Sequence, residues 1–182
     1  QMKRSLHSRR LGPHLLLACL LTVCGTGIGV GEELRSTGYP TNGIDYPVRG
    51  RTERASSSAE DWENSNNDAR QIGPGQTLTL GELDGPGRIT HIWFTIAGSD
   101  RFYSRSTVLR FYWDGQDAPA IEAPLGDFFA VGHGMDRDVT SAMVANSSYG
   151  RAFNCYWPMP FRKSARVTMT NESTSDPIGL YW

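Results

Sequence analysis

The stretch DGPGRITHIWFTI, residues 84–96, decides the fold class of this chain. It opens with a turn signal at residues 85–87, because glycine accepts positive φ angles and proline fixes its own. Residues 89–96 then alternate as in a β-strand. Ile92, Phe94 and Ile96 share one face, and the other face carries His91 and Trp93 among further apolar residues. Since both faces hold apolar groups, we predict a central strand that is covered on two sides.

Other segments on both sides of this stretch show the same period of two. They are residues 77–80, 108–113, 120–123 and 165–169, and a last apolar run begins at residue 179. Within 108–113 we expect Leu109, Phe111 and Trp113 to face inward, and Asp114-Gly115 is a hairpin signal. No ten-residue segment after the N terminus has helical periodicity. Many short strands with Gly and Pro turns predict an all-β, jelly-roll β-sandwich.

The first residues indicate export. Basic residues at 3, 4, 9 and 10 precede the apolar run 15–23, and small residues follow it at 25–31. That order is typical of a secretory signal peptide, and the run is too short to span a bilayer. We therefore expect an exported protein, periplasmic or extracellular. A lipoprotein with its lipid attached to Cys19 is the less favoured alternative, since little apolar sequence precedes that cysteine.

Three segments follow from this organisation. Residues 1–29 are the predicted signal peptide, residues 30–72 a polar N-terminal arm, and residues 73–182 the jelly-roll domain. The sequence stops inside its last apolar run, so we expect the domain to be incomplete at the C terminus.

Charge and cysteine content exclude several classes of function. The net charge is −1, and removal of the basic signal peptide leaves a more acidic chain, which is a poor partner for nucleic acid. No later segment is apolar enough for a membrane span. Cys155 is the single cysteine after the signal peptide and predicts a buried thiol without a disulfide. The spacing of the histidines and cysteines matches no compact ligand pattern, so we expect no metal and no cofactor.

Several motifs in register carry a resemblance to a known family. They are residues 84–87 (DGPG) with 90–93 (THIW), 109–115 (LRFYWDG), 124–129 (PLGDFF), 154–163 (NCYWPMPFRK) and 171–172 (NE). In this order they resemble a former domain-of-unknown-function family that now includes glycoside hydrolases acting on α-fructofuranosides, difructose dianhydrides and arabinofuranosides. Ser56-Ser57 and the segment 66–68 resemble the family's N-terminal elements more loosely.

The resemblance implies two tandem jelly rolls, of which this chain supplies the first. It also implies assembly as a homo-trimer or hexamer when the protein is full length. The family's two catalytic glutamates match no position here, so we assign no catalytic residue and expect the fragment alone to be inactive. The implied function is that of the N-terminal part of an exported furanoside hydrolase. A non-catalytic carbohydrate-binding or assembly module is the alternative, because jelly rolls also serve as lectins and shell subunits.

Sugar recognition needs aromatic platforms and fixed polar groups around a cavity. The residues that we expect to contact substrate are Asn67, Asp68, His91, Trp93, Asp127, Asn154 and Tyr156. Each has a structural alternative. The aromatic residues and His91 can be core residues, Asp127 can bind backbone donors after Gly126, and the Asn67-Asp68 pair can be a solvated loop.

Overall fold

The computed structural model describes residues 50–59, 63 and 67–182. Short β-strands are the main regular structure of the described chain. They are β1 (Arg70–Ile72), β2 (Thr77–Asp84), β3 (Gly87–Ile89), β4 (Ile92–Gly98), β5 (Thr107–Trp113), β6 (Ile121–Pro124), β7 (Val139–Thr140), β8 (Val144–Ser147), β9 (Ala152–Cys155), β10 (Met159–Phe161), β11 (Ser164–Asn171) and β12 (Ile178–Tyr181). The helices are α1 (Tyr103–Ser106), α2 (Leu125–Phe128) and a 3₁₀ turn (Gly132–Gly134).

The strands form two main antiparallel sheets and a small third one. The larger sheet has the order β1-β12-β4-β9-β8-β7, and the four-stranded sheet has the order β2-β11-β5-β6. Strands β3 and β10 form a separate pair. The first strand lies beside the last, the second beside the eleventh, and the fourth beside the ninth. This nesting of early strands against late ones is the jelly-roll topology, and the predicted all-β jelly-roll sandwich is confirmed.

The core lies between the two main sheets. Leu109, Phe111 and Met169 of the four-stranded sheet are fully buried, as the period of two predicted for residues 109 and 111. Phe129 follows α2, and its ring contacts Phe94 and Phe153 of the larger sheet at 5.9 and 5.1 Å between centroids. Its neighbour Phe128 contacts Phe111. The segment after β6 therefore joins both sheets through aromatic side chains.

Strand β4 differs from its prediction in two ways. It begins at Ile92 rather than Ile89, because residues 87–89 pair with β10 instead. It is central, as predicted, since it pairs with β12 and β9. The expectation of cover on two sides is wrong for the described residues, because Phe94 is buried while Trp93 is 42% exposed. Antiparallel sheets often leave one face open to solvent, and this sheet carries an exposed tryptophan there.

The predicted arm and the last apolar run each contribute a strand to the larger sheet. The segment 1–29 and residues 30–49 of the arm lie outside the described residues. Within the predicted arm, Arg70–Ile72 forms β1, whose short length hides any period-two pattern, and Ile72 is buried. The last apolar run forms β12, which pairs with β1 on one side and β4 on the other. That the domain is incomplete stays a prediction.

The turn after β5 follows the sequence signal. Asp114 and Gly115 both have positive φ angles, 57° and 81°, and the N–H of Gln116 donates to the carbonyl of Trp113 at 3.0 Å. The Asp114 carboxylate accepts hydrogen bonds from the backbone N–H groups of Arg162 and Lys163 at 2.8 and 2.6 Å. It therefore ties the β5–β6 turn to the β10–β11 turn.

Candidate functional site

A cavity of about 780 Å³ opens at one end of the sandwich. Its lining includes core residues from both sheets, namely Leu80 and Val167 of the four-stranded sheet and Ile92 and Phe94 of the larger sheet. His91 and Trp93 line it at the start of β4. The volume falls within the range of about 300–1,000 Å³ that is common for sites of small ligands. Apolar and polar residues both line the cavity.

The described part of the arm forms one wall of this cavity. Residues 53–58 line it, and Ala55 lies over Gly81 so closely that a Cβ added to this glycine would stand 2.9 Å from the alanine Cβ. The Ser57 N–H donates to the carbonyl of Trp182 at 3.0 Å, and the Trp182 N–H donates to the Ser57 hydroxyl at 3.1 Å. The Trp182 indole N–H donates to the Leu80 carbonyl at 2.7 Å. The wall is therefore anchored to the end of β12 and to β2.

Three of the predicted contact residues meet beside the cavity. His91 Nε2 lies 3.1 Å from Asn154 Oδ1, and the His91 ring stacks on Tyr156 with 4.7 Å between centroids and 8° between planes. The Asn154 Nδ2 group donates to the Ala145 carbonyl at 3.3 Å. Because stacking and hydrogen bonding act on the same ring, the position of His91 is fixed before any ligand binds.

Trp93 completes the group. It is the register partner of Asn154 across β4 and β9, so both side chains leave the same face of the larger sheet. Trp93 is 42% exposed and Tyr156 is 41% exposed. The core-packing alternative therefore fails for both of these aromatic residues. The structure brings His91, Trp93, Asn154 and Tyr156 together at one end of the sandwich.

Asn67 and Asp68 are separated by the structure. Asp68 is partly buried and lines the cavity. Asn67 is exposed, has a φ of 33° and accepts a hydrogen bond from Arg70 through its backbone carbonyl. It is not among the residues that line the cavity. Of this pair, only Asp68 joins the site.

Asp127 lies outside the cavity. Its carboxylate forms an ion pair with Arg105, and both side chains are partly exposed. Its apolar neighbours Leu125, Phe128 and Phe129 are buried in the core, on the opposite side of the short helix α2. The ion pair holds α1 against α2 and gives Asp127 a structural role.

Sequence reasoning missed other residues of the site. Arg51 and Glu53 form an ion pair at its rim, Arg88 lines it from β3, and Trp182 closes it from the end of β12. The Ser56-Ser57 pair was the available signal for the arm, because two adjacent serines in a polar segment suggest backbone contacts. No local pattern indicates that these serines bind Trp182, since the two segments are far apart in the chain.

The pKa values of Cys155 and Asp114, neither of which lines the cavity, are shifted from their ordinary values. Burial raises the pKa of the Cys155 thiol, which is fully buried beside Asn154 on β9 and is free, as predicted. Backbone hydrogen bonds, above all that from Lys163, lower the pKa of Asp114.

In the described ranges, 50–59, 63 and 67–182, no three His, Cys, Asp or Glu side chains are grouped as a metal would require. Nor does this part of the chain contain a helix long and apolar enough to cross a membrane.

The fold and the cavity together define a jelly-roll domain with a cavity of small-ligand size that aromatic residues help to line. A family model described as GH172 domain-like matches residues 63–178, more than half of the chain. The chain belongs to this family, and the resemblance inferred from its motifs is confirmed. A comparison with curated proteins finds none that matches the chain. Family membership supports a role related to glycoside hydrolases.

Proposed function

We propose that this chain is the substrate-contacting first jelly roll of an exported furanoside hydrolase. The observation that carries the proposal is the cavity of about 780 Å³ whose lining includes His91, Trp93 and Asp68. An exposed indole offers a flat apolar surface to the C–H groups of a sugar, while the fixed imidazole and Asp68 offer hydrogen bonds. Membership of a glycoside-hydrolase family supports a sugar as the ligand.

Catalysis in this proposal belongs to two glutamates outside these 182 residues, as the resemblance implies. Retaining glycosidases need two carboxyl groups about 5–5.5 Å apart, one nucleophilic and one protonated. Glu53 is engaged with Arg51, and Asp127 is engaged with Arg105. These carboxylates are therefore poor candidates for the catalytic pair, and the role left to this chain is to bind and orient the sugar.

Titration calorimetry of the 182-residue chain tests the binding role. Methyl α-D-fructofuranoside and methyl α-L-arabinofuranoside are the probes, with methyl α-D-glucopyranoside as the ring-size control. We expect saturable binding of a furanoside that Trp93→Ala removes and Tyr149→Ala leaves unchanged, since Tyr149 is an exposed aromatic outside the cavity. Absence of furanoside binding would contradict the proposal.

A non-catalytic carbohydrate-binding module is the second candidate, and the exposed aromatic group at the cavity favours it. The hydrolase and the binding module can be distinguished by testing whether the whole gene product cleaves a furanoside. A hydrolase releases nitrophenol from nitrophenyl α-L-arabinofuranoside, whereas a binding module retains this compound intact. Sedimentation of the whole product tests the implied trimer or hexamer, and cell fractionation tests export.

A further inference from the structure

The orientation of the Asn154 amide is set by its contact with β8. Its Nδ2 atom lies 3.3 Å from the Ala145 carbonyl oxygen. A carbonyl oxygen only accepts hydrogen bonds, so the Asn154 atom that faces it must be the donating NH₂ group. The other end of the amide, Oδ1, therefore faces His91 Nε2 at 3.1 Å.

This amide orientation determines where His91 carries its hydrogen. An amide oxygen cannot donate, so Nε2 must be the donor in the His91–Asn154 contact. In a neutral imidazole the other nitrogen then has a lone pair and no hydrogen. Nδ1 of His91 has no hydrogen-bond partner among residues 50–59 and 67–182, and stacking on Tyr156 fixes the plane in which its lone pair lies.

From this geometry we propose that His91 Nδ1 accepts a hydrogen bond from one hydroxyl group of the sugar. The proposal rests on the proposed function and assigns a specific role within it. His91 and Trp93 both line the cavity, so a sugar bound there would lie within reach of both side chains. Asn154 acts as a positioning residue, because it selects the tautomer and does not itself line the cavity. The site thus selects a sugar with a free hydroxyl at this point and disfavours its deoxy or O-methyl analogue.

Nitrogen NMR of the ligand-free chain tests the tautomer without any sugar. We expect the ¹⁵N signals of His91, assigned by comparison with His91→Gln, to show a protonated Nε2 and an unprotonated Nδ1 at pH 8. Free imidazole side chains already favour this tautomer, so the decisive comparison is with Asn154→Ala. That variant should show a mixture, and Asn154→Asp, which keeps an acceptor, should retain Nε2–H. An unchanged tautomer ratio in Asn154→Ala overturns the positioning role.

Binding of methyl furanosides to two His91 variants tests the acceptor. His91→Gln places an amide near the Nε2 position and loses the Nδ1 acceptor, whereas His91→Asn places an amide oxygen near Nδ1. Loss of one hydrogen bond to a neutral group predicts affinity lower by about fivefold to tenfold in His91→Gln, with partial recovery in His91→Asn. Near-ultraviolet circular dichroism checks that both variants fold.

The outcomes separate the two proposals. Binding by the wild type together with a shift of the Nδ1 signal supports the acceptor role. Binding that leaves the Nδ1 signal and the His91→Gln affinity unchanged overturns that role while the proposed function stands. If no furanoside binds the wild type, the proposed function fails and the acceptor role fails with it, whatever the tautomer.

Discussion

The outer faces of the two main sheets differ in how their polar groups are satisfied. On the four-stranded sheet, Arg110 donates to Glu122 at 2.6 Å, to Glu172 at 2.8 Å and to Thr170 at 2.8 Å. Next to this network, the Arg166 guanidinium lies 3.9 Å from the ring centroid of Tyr112. On this face, the charged groups of Arg110 and Arg166 therefore pair with glutamates and with an aromatic ring of the same sheet.

The cavity end of the larger sheet has the opposite character. Trp93 and Tyr156 expose about two fifths of their surfaces, and His91 Nδ1 has no hydrogen-bond partner in the described part of the chain. The hydrogen bonds of Asn154 to His91 Nε2 and to the Ala145 carbonyl orient the His91 ring and leave its Nδ1 atom without a partner in the described part of the chain. The difference supports the proposal that the four-stranded face contributes stability, whereas the cavity end binds a ligand.

Removal of the aromatic side chain that supports both regions should have the largest effect. Phe129→Ala deletes a fully buried ring that contacts Phe94, Phe128 and Phe153. Such a deletion costs about 3–5 kcal/mol of unfolding free energy, measurable by urea denaturation. Furanoside affinity should fall with it, because β4 loses its support. A loss below about 1 kcal/mol would show that Phe129 does not join the sheets.

Trp93→Ala should separate binding from stability. Loss of an exposed aromatic platform predicts furanoside affinity lower by more than about tenfold, which corresponds to about 1.4 kcal/mol. The unfolding free energy should change by less than about 0.5 kcal/mol, since the side chain lies on an open face. Calorimetry and urea denaturation measure the two quantities. A Trp93→Ala variant that loses stability but still binds sugar would contradict the assignment of binding to the face that carries Trp93.

Arg110→Met should show the converse behaviour. It removes three hydrogen bonds and leaves two glutamates unpaired, which predicts a loss of about 1–2 kcal/mol of unfolding free energy. Sugar affinity should not change. Arg162→Met, at an exposed arginine in the β10–β11 turn, is the matched control and should cost less than about 0.5 kcal/mol.

Asp114→Asn should have a smaller effect that depends on pH. Because backbone N–H groups lower the pKa of Asp114, its contribution to stability is fully present above its unfolded value of about 3.9. That contribution is lost as the pH falls through the lowered folded value. The variant should therefore be less stable than the wild type at pH 7, and the gap between their urea midpoints should narrow in acid. A gap that widens in acid would contradict the assignment.

Sequence patterns predicted the fold better than the site. Alternation located β5, β11 and the buried face of β4, because each strand is long enough to repeat its period. It missed β1, whose three residues bury one side chain, and it cannot show what covers the second face of a strand. Trp93 and His91 were singled out because they share one face of a predicted strand, and their role as sugar contacts stays a prediction.

The remaining site features depend on contacts between distant segments. The arm wall exists because Ser57 meets Trp182, and neither residue signals the other locally. The partner of Asp127 could not be predicted, because its sequence neighbours are apolar and its carboxylate pairs with Arg105 on a different helix. Side-chain direction on a four-residue helix is not readable from sequence, since one turn shows no periodicity.

The most direct test of the central claim is chemical-shift mapping of methyl furanoside binding on the ¹⁵N-labelled chain. If the open end of the sandwich binds the sugar, the NMR signals of the Trp93 indole N–H and of the His91 ring nitrogens should shift and saturate. The Nε–H of Arg110, held by Glu122 on the four-stranded face, should not move. Shifts confined to Arg110 and its neighbours, or no saturable shift at Trp93 and His91, would contradict the claim that the open end of the sandwich is the sugar site.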